Sequence, residues 1–158
     1  MRATACRKAM HCRLETPVGT LWIEEADGAV SCVTSRPLSG PEGNAPVLEQ
    51  AKKELTEYFA GTRKAFSVPL NPRGTDFQRA VWAALREIPY GETRSYGEIA
   101  AAVGRPKAAR AVGGANNKNP ILILTPCHRV IGAGGALVGF GAGLPMKEAL
   151  LALEQKYK

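Results

Sequence analysis

A segment rich in proline and glycine, Asn71-Pro72-Arg73-Gly74, separates two stretches of the chain with different patterns. Before it, runs of β-branched and aromatic residues alternate with turn signals, which favours strands. After it, apolar residues recur at helical spacing. A length of 158 residues allows one large or two small domains. The pattern therefore predicts an α/β domain at 1–70 and a mostly α-helical domain at 71–158.

The first stretch predicts a small sheet and one helix. Strand formers at 20–24 and 29–33, with turn signals between them, predict a β-meander over residues 10–35. The apolar spacing that begins at Val47 predicts a helix ending near Gly61. Residues 66–70 are predicted to form a short strand. None of these segments carries evident chemistry, so this domain is predicted to be a support.

The second stretch contains two capping-box patterns, which mark helix starts. They are Thr75-x-x-Gln78 and Ser95-x-x-Glu98. The second pattern predicts a helix at 96–103, and a glycine-containing turn separates it from a further predicted helix at 107–116. Two short helices joined in this way form a candidate helix-turn-helix.

Positive charge is concentrated in the second stretch. Residues 1–70 carry 9 basic and 8 acidic side chains, whereas residues 71–158 carry 12 and 6. Such clustering is typical of nucleic-acid binding, although a basic surface also occurs without it. The predicted helix at 107–116 is rich in alanine and glycine. These small side chains would admit it to a DNA minor groove or let it pack against another helix, and the sequence leaves both alternatives open.

A cysteine beside a histidine is the strongest sign of chemistry. The aliphatic run Ile121–Leu124 predicts a short strand, and Cys127-His128 follows it. A neighbouring base or cation raises the thiolate population of a cysteine. The alternative is an inert buried thiol beside a hydrogen-bonded histidine. Cys6, His11 and Cys12 could suggest a metal site, but we expect no metal and no cofactor.

The residues Pro126-Cys127-His128-Arg129-Val130 resemble the active-site signature of the O6-alkylguanine-DNA alkyltransferases. Asn119-Pro120 upstream and Lys147-Glu148 through Glu154 downstream also match that family, and the resemblance extends from about Thr75 to Glu154. Thr125 departs from the aliphatic residue usual there. The resemblance implies an RNase H-like sheet in the first domain and a winged-helix-like helix-turn-helix in the second.

The same resemblance implies a role for each residue of the site. Cys127 would attack the alkyl carbon, and His128 would take the thiol proton through a water molecule. Glu154 would orient His128, as in a catalytic triad. Tyr96 would donate a proton or a hydrogen bond to the departing guanine.

The target guanine must leave the duplex, and Arg110 would fill the vacated stack. We expect further DNA contacts from Lys107, Ala111, Gly113, Ser95 and Arg129. We expect the substrate pocket and its support to include Asn119, Phe140, Gly141 and Val130. Gly141 stands where the family often has serine, which leaves the range of alkyl groups open.

The expected function is direct-reversal DNA repair, in which the alkyl group passes irreversibly to Cys127 in a single turnover. The expected partner is double-stranded DNA containing O6-alkylguanine, with O4-alkylthymine as a second candidate lesion. We expect a cytoplasmic monomer without a membrane segment. Two alternatives remain: a DNA-binding module without chemistry, either a sensor of alkylated DNA or a transcription-factor-like protein, and, less favoured, a Cys-His hydrolase.

Overall fold

The structure is a computed structural model that describes residues 9–135, 140 and 142–158. Within it the chain divides into two compact units, with the division between Pro72 and Arg73. Each unit has its own apolar core. No helix among the described residues is long and apolar enough to cross a membrane.

The first unit contains the predicted β-meander. Strands β1 (Met10–Thr16), β2 (Gly19–Ala26) and β3 (Ala29–Thr34) pair antiparallel in that order. Asp27 and Gly28 join β2 to β3 with φ angles of 56° and 78°. Two positive φ angles are what a two-residue hairpin turn of type I′ requires, and Asp-Gly is a favoured pair there. The meander is therefore confirmed.

Helix α1 (Pro46–Phe59) contributes the other half of this core. Its apolar face includes Leu48, Leu55 and Tyr58, each with no exposed surface. Gly61, with a φ of 82°, follows the helix end. The predicted helix and its glycine end are both confirmed.

The strand predicted at 66–70 is wrong. Apart from an isolated bridge between Val30 and Leu70, this segment has no sheet pairing. The carboxylate of Glu54 accepts hydrogen bonds from the backbone amides of Ser67 at 2.9 Å and Val68 at 3.2 Å. Burial alone would raise the pKa of Glu54, but hydrogen bonds from Gln50, Ser67 and Val68 bring it below its usual value. A buried carboxylate thus replaces a partner strand.

Replacing Glu54 with alanine should lower the free energy of unfolding by roughly 2–4 kcal/mol, because two backbone amides and a hydroxyl lose their acceptor. Urea denaturation measures the change. The control is Glu49→Ala on the same helix, where the carboxylate is exposed and contacts only Lys52 among the described ion pairs. We expect that control to stay within about 0.5 kcal/mol of the parent. Similar losses in both variants would contradict the bracing role of Glu54.

The second unit is mostly helical, as predicted. Its helices are α2 (Asp76–Arg86), α3 (Tyr96–Ala102), α4 (Ala109–Asn117) and α5 (Leu144–Tyr157). Both predicted capping boxes are present, at the starts of α2 and α3. The indole Nε1 of Trp82 donates to the carbonyl of Ala115 at 2.9 Å and so joins α2 to α4. Strands β4 (Arg94–Ser95) and β5 (Val130–Ile131) form a short parallel pair.

The strand predicted at Ile121–Leu124 is wrong. These residues form a buried turn in which Ile123 adopts a φ of 70°. The side-chain amide of Asn119 donates to the carbonyls of Ile121 at 3.0 Å and Thr125 at 2.9 Å, and its oxygen accepts from the Ile121 amide at 3.0 Å. A side chain that bonds nearby backbone groups competes with a strand ladder. Asn119 therefore braces the turn that leads to Cys127.

Candidate active site

Cys127 begins a single 3₁₀ turn, Cys127–Arg129, directly after the turn braced by Asn119. Its side chain is 2% exposed. Burial raises the pKa of the Cys127 thiol to about 11, and the Asn119 amide and the charge of Lys147 offset this only in part. The sequence predicted that a neighbouring group would increase the thiolate population. The buried site does the opposite, so the resting thiol is protonated at neutral pH and must lose its proton during any reaction.

His128 and Glu154 form a buried pair beside this thiol. The His128 Nε2 atom lies 2.7 Å from Glu154 Oε2, and both side chains are at most 1% exposed. Burial would raise the pKa of Glu154, but hydrogen bonds from His128 and Arg129 and the charge of Arg129 lower it to about 2, as does the charge of His128 when that ring is protonated. An ionised carboxylate only accepts hydrogen bonds, so His128 Nε2 carries the hydrogen. Glu154, which the sequence predicted would orient His128, thus lies on α5 within hydrogen-bonding distance of that ring.

The second ring nitrogen of His128 is the one available for chemistry. Its Nδ1 atom is buried and has no hydrogen-bond partner among the residues that the structure describes. Burial lowers the pKa of His128, and the charges of Arg129 and Lys147 lower it further against the opposing effect of Glu154. The ring is therefore neutral at pH 7, with an unprotonated Nδ1 atom.

Arg129 does not lie where the sequence predicted. The prediction placed it among the DNA contacts, but its side chain is 5% exposed. Its guanidinium donates to both oxygens of Glu154, at 2.9 and 3.0 Å, and to the carbonyl of Ile88 at 2.7 Å. Because Arg129 is buried and makes these three bonds, it belongs to the network around Glu154, and its prediction as a DNA contact is wrong.

Two polar residues of the site were not assigned a role from the sequence. Lys147 is fully buried, and its Nζ atom donates to the carbonyl of Val130 at 2.6 Å. Asn116 is 1% exposed and its Nδ2 atom lies 3.4 Å from the carbonyl of Cys127. Lys147 precedes Glu154 by two helical turns on α5, and that spacing could have placed both on the same face.

Tyr96, at the start of α3, lies within electrostatic range of the Cys127 thiol. Burial raises the pKa of Tyr96, and the charge of the Cys127 thiolate would raise it further. A Cβ atom on Gly113 would lie 3.8 Å from two atoms of the Tyr96 ring, so α4 passes directly beside this phenol. Ser95 accepts the Glu98 amide as the cap of α3.

The other predicted residues differ in their exposure to solvent. Lys107, Arg110 and Ala111 are exposed, on or just before α4. Phe140 is half-buried, whereas Gly141 and Cys6 lie outside the described residues. Across the described part of the chain, no group of three or more histidine, cysteine or acidic residues is arranged to hold a metal ion.

Two family models match consecutive parts of the chain. The model described as "6-O-methylguanine DNA methyltransferase, ribonuclease-like domain" matches residues 13–72. The model described as "6-O-methylguanine DNA methyltransferase, DNA binding domain" matches residues 76–156. Together they define a two-domain protein in which a ribonuclease-like domain precedes a helical DNA-binding domain.

Individual relatives agree with these matches. A methylated-DNA–protein-cysteine methyltransferase of Mycolicibacterium paratuberculosis is 48% identical over 150 residues and covers 91% of both chains. The constitutive one of Bacillus subtilis is 49% identical over 152 residues and covers 89% of this chain and 92% of that protein. The crystal structure of Mycobacterium tuberculosis OGT in complex with DNA superposes with a TM-score of 0.87 at 45% identity, covering 94% of each chain. The chain belongs to the 6-O-methylguanine DNA methyltransferase family, which confirms the resemblance.

Proposed function

We propose that this protein is a methylated-DNA–[protein]-cysteine S-methyltransferase that repairs O6-alkylguanine in duplex DNA by direct reversal. The observation that carries the proposal is a buried cysteine followed in the chain by His128, whose Nε2 atom pairs with Glu154 and whose Nδ1 atom has no hydrogen-bond partner among the described residues. Two relatives that cover about nine tenths of the chain carry the name of this activity. Cys127 is both the nucleophile and the final acceptor of the alkyl group.

The proposed transfer forms one bond to the alkyl carbon and breaks another. The Cys127 sulfur attacks the alkyl carbon, a carbon–sulfur bond forms, and the bond from carbon to guanine O6 breaks. The thiol proton passes to His128, through a water molecule, and Glu154 stabilises the resulting imidazolium. Tyr96, half-buried beside the sulfur, donates a proton or hydrogen bond to the leaving guanine. The product is unmodified guanine and a thioether on the protein.

We propose that α3 and α4 form the helix-turn-helix that engages DNA. The turn between them contains Gly104 with a φ of 78°, and α4 presents exposed Arg110 and Ala111. A Cβ atom added to Gly114 would meet nothing within 4 Å, so this part of α4 has an open surface. Small side chains on such a surface suit close approach to the minor groove.

A stacked guanine must be flipped out to reach a buried thiol. In this proposal Arg110 occupies the space that the base leaves, because its planar guanidinium can stack and pair with the orphan base. Phe140 forms an aromatic wall for the flipped base, and Asn119 and Val130 hold the backbone around Cys127. Lys107 and Ser95 contribute contacts to the DNA backbone.

Intact-protein mass spectrometry tests the function. The chain is mixed with a duplex containing one O6-methylguanine, and its mass should increase by one methyl group in place of a hydrogen. Binding to the duplex without a mass change would favour the sensor alternative. Repeated turnover of an ester or amide substrate would favour the hydrolase alternative.

Replacing Arg110 with alanine should slow repair of the duplex at least about tenfold more than reaction with free O6-benzylguanine. The free base needs no flipping, so an intercalating arginine assists only the duplex reaction. Rates of methyl or benzyl transfer measure both. Lys118→Ala, which removes an exposed cation next to the C-terminus of α4, is the matched control. Equal losses on the two substrates would place the action of Arg110 outside base flipping.

A further inference from the structure

We infer that Arg129 is a positioning residue that fixes Glu154 and thereby holds His128 as the neutral tautomer with hydrogen on Nε2 and a free acceptor at Nδ1. The assignment concerns the resting protein and is testable without DNA. Its consequence for the rate of alkyl transfer rests on the proposed function.

The Glu154 carboxylate is held by hydrogen bonds on both of its oxygens. Its Oε1 atom accepts from Arg129 Nε at 2.9 Å and from the Gly91 amide at 3.1 Å. Its Oε2 atom accepts from Arg129 Nη2 at 3.0 Å and lies 2.7 Å from His128 Nε2. Two carboxylate oxygens offer about four lone-pair sites, and the donors named here, all from the described part of the chain, are enough to fill them. The carboxylate therefore cannot rotate away from His128 without losing several bonds.

The Arg129 guanidinium is itself held in place by a further hydrogen bond and by an aromatic ring. Its third nitrogen, Nη1, donates to the carbonyl of Ile88 at 2.7 Å, and its central carbon lies 5.7 Å from the centroid of the Tyr90 ring. A planar fork with bonds on two sides fixes both distance and direction, which a lysine ammonium cannot reproduce. Arg129 thus ties Glu154 to the backbone at Ile88.

The contacts of Glu154 determine which atom of the Glu154–His128 pair carries the hydrogen. A carboxylate with four donors has no place for a proton of its own, so the hydrogen between Glu154 and His128 belongs to Nε2. The charged groups that face His128 are Glu154 and Lys147 from α5 and its neighbour Arg129. Glu154 raises the pKa of His128, whereas Arg129 and Lys147 lower it. Removing the guanidinium takes away a positive charge that offsets the negative charge of Glu154. The pKa of His128 then rises, and the ring binds a proton at higher pH.

The consequence for catalysis is a change in pH dependence. Because the Cys127 thiol is protonated at neutral pH, transfer requires His128 to be neutral when the alkyl group arrives. A variant that protonates His128 at higher pH loses rate at neutral pH and regains it as the pH rises. A residue with only a structural role would lower the rate by the same factor at every pH.

Nitrogen NMR of ¹⁵N-histidine-labelled protein tests the tautomer directly. The chain has two histidines, so a His11→Gln variant assigns the His128 signals. We expect His128 in the parent protein to be neutral at pH 7, with hydrogen on Nε2. In Arg129→Gln we expect its titration to move upward by about one pH unit. A charged His128, hydrogen on Nδ1 in the parent, or an unmoved titration in the variant would overturn the inference.

The kinetic arm measures methyl transfer from an O6-methylguanine duplex between pH 6 and 9. We expect Arg129→Gln to lose up to about tenfold at pH 6, less at pH 7 and little at pH 9, since a shift of one pH unit changes the neutral fraction at most about tenfold, and only below both pKa values. Arg86→Gln, which changes an exposed arginine on α2, should match the parent. A uniform loss at all pH values would overturn the inference while leaving the proposed function intact.

Arg129→Lys provides the second variant if Arg129→Gln does not fold. Lysine keeps the charge but loses the two-pronged contact, so the proposal predicts a smaller upward titration shift and weaker protection of the Nε2 hydrogen from exchange. Parent-like titration and exchange in this variant would show that the fork is not needed, and that result would also overturn the inference.

Discussion

Replacing Cys127 with serine should reduce methyl transfer below detection while leaving affinity for duplex DNA unchanged. A hydroxyl is a much weaker nucleophile than a thiol and gives up its proton less readily, so the same base does not activate it. Arg110 and Ala111, which are proposed to contact DNA, are exposed on α4, whereas the Cys127 side chain is 2% exposed. Transfer is measured by intact mass and binding by fluorescence anisotropy with an undamaged duplex.

The parent protein should accept one methyl group per chain and then stop, because a thioether has no easy hydrolytic exit. The measurement is a titration with excess O6-methylguanine duplex, followed by peptide mapping. Burial raises the pKa of Cys32 to about 11, the same value as that of Cys127. Acidity therefore does not single out Cys127, and the selectivity must come from His128 and from delivery of the base. Methyl on Cys12 or Cys32, or several turnovers per chain, would contradict the mechanism.

Short-range sequence patterns predicted most of the elements of the second unit. The two capping boxes identify the starts of α2 and α3 because a capping box is complete within four residues. The Asp27-Gly28 turn is likewise a local signal. These predictions were confirmed because the interactions that form each feature lie within a few consecutive residues.

The two strand predictions failed for a common physical reason. Apolar residues at 121–124 and at 66–70 resemble strands locally, but side chains take the backbone groups that a ladder would use. Asn119 does so from two residues away and Glu54 from thirteen. A buried polar side chain that replaces a partner strand leaves no periodic signal, so only the folded chain reveals it.

The role of Arg129 was missed for a related reason. A cation next to Cys127 in a basic half of the chain fits a DNA contact as well as any other use. Only the structure shows that Glu154, 25 positions later, accepts hydrogen bonds from two of its guanidinium nitrogens. The family resemblance predicted a site made of Cys127, His128 and Glu154, but it gave no partner for the carboxylate beyond the histidine.

Replacing Glu154 with glutamine should lower the stability of the protein at neutral pH by about 3–5 kcal/mol and slow methyl transfer at least about a hundredfold. The stability loss arises because the buried guanidinium of Arg129 keeps its charge but loses its counter-ion. The rate loss arises because a neutral amide neither fixes the hydrogen on His128 Nε2 nor stabilises the imidazolium. Chemical denaturation and single-turnover kinetics measure the two effects, and Glu148→Gln, at an exposed position on the same helix, is the control.

The effect on stability should depend on pH in a way that identifies the carboxylate. The pKa of Glu154 is about 2 in the folded chain against an ordinary 4.5. A carboxyl group whose pKa is lower in the folded chain than in the unfolded chain stabilises the folded state, and this contribution is complete at pH values above the unfolded-state pKa. It is lost as the pH falls from about 5 towards 2. It amounts to about 3 kcal/mol, so the gap between parent and Glu154→Gln should narrow by that order across the window. Stability curves that stay parallel from pH 7 to pH 3 would show that Glu154 is not held as a carboxylate, and the assignment of His128 as the neutral base would fall with it.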